Sequence, residues 1–134
     1  MTVRFQVSKP ILSGNERKYI IEALESGWIS GSGSINRFED AVGAVLGLEE
    51  CLAVNSGTAA LHVACLALGL RPGQEVIIPA LTYVACANAI VYCGAKPVFA
   101  DCDPITWNCT ADSIQEAWTP GTVGVLAVHL YGPF

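Results

Sequence analysis

The stretch "EVIIPALTYVACANAIVYCGAKPVFAD" (residues 75–101) decides the fold. Its opening "EVIIP" is a strongly apolar strand signal without polar alternation. "LTYVACANAIVYCG" (81–94) reads as a helix with its stop at Gly94, and "KPVFAD" (96–101) returns to a strand. Continuous apolar strands linked through a helix predict parallel pairing in a sheet covered on both faces.

Working outward, the same alternation continues. "CLAVN" (51–55) reads as a short strand, followed by a helix from about Thr58 to Leu68. Downstream, "ADSIQEAW" (111–118) is a short helix and "VGVLAVHLYG" (123–132) a further strand. The expected class is therefore α/β, with a mostly parallel sheet flanked by helices. Ahead of it, residues 13–27 read as a helix with a Ser13–Glu16 capping box and a stop at Gly27. "WISGSGS" (28–34) is a glycine-serine loop. "INRFEDAVGAVLG" (35–47) is a second helix that gathers Ile35, Phe38, Val42, Val45 and Leu46 on one face. Residues 1–47 thus form a helical segment and 48–134 a series of strand-helix units. The sequence stops directly after a strand, where a doubly wound domain would continue. An incomplete domain, the N-terminal portion of a longer protein, is expected.

Composition agrees with that expectation. Hydrophobic residues make up 52% of the 134 and charged residues 14%, which leaves much apolar surface and few charges to cover it. A net charge of −5 with scattered basic residues excludes a phosphate-backbone footprint, so nucleic acid is not an expected partner. No apolar run approaches the roughly 18 residues that span a membrane, and "MTVRFQVSKP" has no signal-peptide core. The six cysteines form no C-x-x-C pair and mostly sit in apolar segments, as expected of buried reduced thiols in a cytoplasmic protein. No metal site is expected.

In parallel α/β sheets, ligands bind beyond the carboxyl ends of the strands. Four loops have that position here: "NSGT" (55–58), "PALTY" (79–83), "DCDP" (101–104) and "HLYG" (129–132). In "NSGT", Gly57 can take positive φ and let backbone approach an anion. The helix beginning near Thr58 offers unpaired N–H groups and a positive dipole end, while Ser56 and Thr58 add hydroxyls. That makes a phosphate cup, unless Ser or Thr simply caps the helix. "GSGS" (31–34) is no dinucleotide fingerprint, because it follows a helix and its sixth position is Asn36. Tyr83 either stacks on a flat ring or is a core aromatic. Asp101, Asp103, His129 and Tyr131 also fall at strand ends; His129 fits a strand histidine better than a catalyst.

Three stretches, "SGWISGSGS" (26–34), the run from "NSGTAALH" to "DPITWN" (55–108), and "VHLYG" (128–132), resemble the DegT/DnrJ/EryC1/StrS sugar aminotransferase family in order and spacing. Within it, "YCGAKPVF" and "DPITWN" are most similar to the GDP-perosamine synthases. The resemblance implies the N-terminal part of the large domain of an aspartate-aminotransferase-like fold, binding pyridoxal 5′-phosphate. It implies that Gly57 and Thr58 hold the cofactor phosphate and Tyr83 stacks on its ring. Trp28, Ile29 and Ser30, together with Ser56, would line the nucleotide-sugar pocket. The implied reaction moves an amino group from glutamate to a nucleotide-linked keto-sugar, in a homodimer. The family also needs a lysine that forms a Schiff base with the cofactor and an aspartate against the pyridine nitrogen, both beyond "VHLYG". Lys9, Lys18 and Lys96 do not match that lysine, so no catalytic residue is assigned and the chain is expected to be inactive by itself. A sugar 3-dehydratase of the same family, with histidine in place of the lysine, and a non-catalytic module for phosphorylated ligands are the alternatives.

Overall fold

The computed structural model describes residues 8–31 and 33–132. Residues 1–7, Ser32 of "GSGS", and the last two residues lie outside the described residues. The chain divides into two compact units after Ala53.

The first unit holds α1 (Glu16–Glu25) and α2 (Gly33–Leu46). The expected capping box at Ser13 is not formed. Asn15 is the N-cap and makes no side-chain capping bond, while the Glu16 carboxylate accepts the Gly14 N–H at 2.9 Å. Gly27 ends the region at φ 72°, as its sequence position predicts. Arg37 joins the two helices, with its guanidinium 3.8 Å from Glu22 and 5.7 Å from the centre of the Tyr19 ring. The face of α2 gathering Ile35, Phe38, Val45 and Leu46 is largely exposed, and Gly43 is the only buried residue of that helix. The strand expected at 51–55 is absent. With no neighbouring strand to pair with, the Ala53 N–H goes instead to the Glu39 carboxylate at 2.7 Å.

The second unit is the α/β body. It comprises α3 (Gly57–Ala67), β1 (Glu75–Pro79), α4 (Ala85–Tyr92), β2 (Lys96–Ala100), α5 (Ala111–Glu116) and β3 (Thr122–Val125). The three strands form one sheet in the order β2-β1-β3, and both pairings are parallel. The central strand is buried on both faces: Ile77 and Ile78 are fully covered and Val76 nearly so. This is why "EVIIP" carries no polar alternation. On one face, Val76 and Ile78 pack with Cys86, Ile90 and Ala95, and Leu61 of α3, Leu70 and Leu126 close around them. α4 supplies Cys86 and Ile90 to this layer, and with Ala85 and Ala89 also buried its covered residues form a stripe at helical spacing.

Two elements are shorter than their apolar lettering predicts. α4 begins at Ala85, not Leu81, because residues 81–84 carry the turn off β1. β3 has four residues and includes only three of the ten expected, since beyond Val125 its backbone leaves the ladder after one bond from the Leu126 N–H to the Ile77 carbonyl. The stop expected at Gly94 is formed, and two further helices end in the same way. α2, α3 and α4 each end on a glycine in the left-handed region (Gly47, Gly69 and Gly94). In all three, the next residue donates back across the last turn: Leu48 to Gly43, Leu70 to Cys65, and Ala95 to Ile90.

Candidate functional site

The candidate site is the carboxyl edge of the sheet. Parallel pairing puts the exits of β1, β2 and β3 on that one edge. α3 belongs to the same edge by connectivity. Its C-terminal end leads through a short turn into Glu75, the start of β1, so that end lies at the opposite edge. Cys65 near its end meets the thiol of Cys93 just past α4, and the His62 and Tyr92 rings contact edge-on at 5.5 Å. The two helices therefore run side by side, both against the strands. Eleven helical residues span about 16 Å, close to the length of a five-residue strand. Hence the N-termini of α3 and α4 share the edge where the strands finish.

At the head of α3, Ser56 is an extended N-cap whose hydroxyl accepts the Ala59 N–H at 3.2 Å, while its carbonyl accepts that of Ala60. The capping reading of Ser56 is therefore correct. Among the described residues, none accepts from the N–H groups of Gly57 or Thr58. Gly57 does not use left-handed φ; it is the first residue of the helix. It is exposed, a Cβ built there meets nothing within 4 Å, and Thr58 beside it is half-buried. The result is two unpaired amides at a positive helix end, opening on free space, with the Thr58 hydroxyl adjacent.

Tyr83 lies on the β1–α4 turn, where its carbonyl accepts the Cys86 N–H and begins the helix. At 75% exposure it is not a core aromatic of this chain. Trp28, Ile29 and Ser30 lie on the α1–α2 loop of the first unit, all exposed, with the Trp28 N–H on the Ser26 hydroxyl at 3.2 Å.

The other two loops meet each other. The Leu130 N–H donates to the Asn108 side-chain oxygen at 2.9 Å, and the Trp107 and Tyr131 rings contact edge-on at 5.8 Å. Both aromatics sit at positive φ, 61° and 55°, which bulky residues rarely adopt. Because β1 lies between β2 and β3, this contact reaches across the end of the central strand. Sequence reasoning missed Trp107 and Asn108; their only signal is the position of "DPITWN" after a strand. Asp103 is a turn former: its carboxylate accepts the N–H groups of Thr106 at 2.7 Å and Ile105 at 3.0 Å. Those bonds hold its pKa below the ordinary aspartate value. Among the described residues, no cluster of metal-ligating side chains exists, and no helix is long and apolar enough to cross a membrane.

Residues 10–134 match the model of the DegT/DnrJ/EryC1/StrS aminotransferase family. A GDP-perosamine synthase from Caulobacter vibrioides is 47% identical over 130 residues, covering 96% of this chain and 35% of that protein. The crystal structure of the aminotransferase TlmJ from Streptoalloteichus hindustanus superposes with a TM-score of 0.80 at 37% identity, over 90% of this chain and 33% of that one. NtdA from Bacillus subtilis with bound cofactor PMP gives 0.80 at 38% identity, over 87% and 27%. The chain spans about a third of the length of the relatives it matches.

Proposed function

Since the chain belongs to the DegT/DnrJ/EryC1/StrS aminotransferase family, we propose that it forms the phosphate-anchoring part of a cytoplasmic, homodimeric nucleotide-sugar aminotransferase using pyridoxal 5′-phosphate. The observation that carries this reading is the pair of unclaimed amides at Gly57 and Thr58. A phosphate monoester needs several N–H and O–H donors in a positive field, and a helix N-terminus with an adjacent threonine hydroxyl provides them. The lack of a Cβ at Gly57 leaves the approach to those amides open. The residues therefore fit the group.

In this reading the Gly57 and Thr58 N–H groups and the Thr58 hydroxyl hold the phosphate, and the exposed Tyr83 ring covers one face of the pyridine. Bound there, the cofactor supplies an electron sink for amino transfer from glutamate to a nucleotide-linked keto-sugar. Ser56 at the head of α3 is assigned to sugar-nucleotide binding, and so, separately, are Trp28, Ile29 and Ser30 of the α1–α2 loop. This region binds and orients; it does not move the proton. None of its three lysines suits covalent attachment. Lys96 is bound to the Glu75 carboxylate at 2.8 Å, at the opposite end of the sheet from "NSGT", and Lys18 lies beside Glu22 on α1. The third, Lys9, is exposed in the segment before α1. The chain by itself is inactive.

Titration of the chain with pyridoxal 5′-phosphate, followed by the absorbance and induced circular dichroism of the ring, tests the reading. Saturable binding is expected, competed by inorganic phosphate and weakened about tenfold or more by Thr58→Val, about 1.4 kcal/mol for a lost charge-assisted bond. Tyr83→Ala weakens it as well, and borohydride labels no lysine. Absence of binding, or binding indifferent to both substitutions, overturns it.

A further inference from the structure

Cys102 and Cys109 face each other across an isolated antiparallel bridge at the carboxyl edge, just past β2. Immediately inside that pair, the Asp103 N–H donates to the Asn108 carbonyl at 3.0 Å. This pattern makes the two cysteines a non-hydrogen-bonded antiparallel pair. Such pairs bring Cα atoms to about 4.5 Å with side chains on the same face. That separation falls within the roughly 4.4–6.8 Å range a disulfide requires. Both residues are half-buried and both thiols are free.

We propose that Cys102 and Cys109 form a reversible disulfide that staples the loop after β2. Backbone geometry alone sets this pairing, independently of the cofactor site. Two thiols lose two protons and two electrons and gain one S–S bond. The oxidant is a low-molecular-weight disulfide, which is cleaved to two thiols by way of a mixed disulfide. The reduced pair gains little that would resist closure. Burial, and then the neighbouring Cys102 thiol, push the Cys109 pKa up to about 11, so its thiolate is not stabilised. The Cys109 S–H makes a long bond to the Ala100 carbonyl, at 3.6 Å, and the Cys109 side chain also meets those of Cys102 and Ser113. Cys65 and Cys93 also touch, but they come from separate helical elements and no bridge aligns their backbones.

The staple acts on a defined region. The loop between the two cysteines carries the Asp103 turn, the left-handed Trp107, and Asn108, which takes the Leu130 N–H. Closing it locks the loop in the form that braces residues 129–132 across the end of β1. Reduction releases that constraint.

The full chain, kept native, is oxidised with glutathione disulfide, quenched with iodoacetamide and cut before aspartate. That cleavage puts Cys102 in peptide 101–102 and Cys109 in peptide 103–111. The expected product joins these two peptides, is separated by dithiothreitol, survives Cys65→Ser, and vanishes in Cys102→Ser and Cys109→Ser. Oxidation is also expected to slow chymotryptic cutting at Trp107 at least severalfold. Full alkylation of both thiols, glutathione caps without the cross-link, a pair mapped to other cysteines, or equal yield from urea-unfolded chain would each overturn the proposal.

Discussion

Ser56 illustrates how much one side chain contributes at the head of a helix. Its hydroxyl takes the Ala59 N–H, while the two preceding amides have no acceptor among the described residues. Ser56→Ala should therefore lower stability by about 1 kcal/mol, within the 0.5–2 kcal/mol range of lost N-caps. Urea unfolding followed by far-UV circular dichroism would show an earlier midpoint with unchanged slope. Gly57→Ala should cost no stability, because the backbone there is helical and a Cβ meets open space. The serine cap was readable from residue type and spacing. The conformation of Gly57 was not, since a glycine permits left-handed φ without requiring it. The positive φ of Trp107 and Tyr131 was not readable for the opposite reason: bulky residues seldom take that conformation unless their surroundings compel it.

The ends of elements follow local chemistry where glycine is concerned and tertiary pairing elsewhere. Gly94 shows the first case. It closes α4 at φ 73°, and a Cβ built on it would come within 3.0 Å of the Pro72 ring. Gly94→Ala should lose about 1–2 kcal/mol from the left-handed backbone, with the Pro72 contact adding to it. A thermal melt would register this as a lower midpoint, and an unchanged midpoint would refute the strain. Residues 51–55 show the second case. Their lettering suits a strand, but a strand exists only through a partner, and the Ala53 N–H has a carboxylate instead. β3 ends early for the same reason: "VGVLAVHLYG" is apolar throughout, yet only its first part lies beside β1.

Across the whole molecule, Glu75 binds the sheet together at the edge away from the site. Its carboxylate accepts from the Lys96 ammonium on β2 at 2.8 Å and from the Thr119 hydroxyl on the turn leading into β3. The lysine bond first, and the threonine bond next, hold its pKa below the ordinary glutamate value. A carboxyl with a depressed folded pKa contributes fully above its unfolded value and loses that contribution as pH falls through the folded one. Stability should accordingly drop on acidification from about pH 5 to about pH 3. Glu75→Gln should lose stability at neutral pH and show a shallower acid limb, the remainder coming from Asp103, which is depressed in the same direction. Equal acid limbs in urea titrations of the two proteins would rule this role out. The amino-acid order by itself determined the α/β class, the buried central strand, the helix stops and the small hydroxylated turn at 55–58. Each of these depends on residue type within a few positions. Only the tertiary structure decided which apolar runs became strands, that the loops after β2 and β3 meet over the end of β1, and that Cys102 faces Cys109. Those outcomes depend on partners distant in the chain, which local composition does not encode.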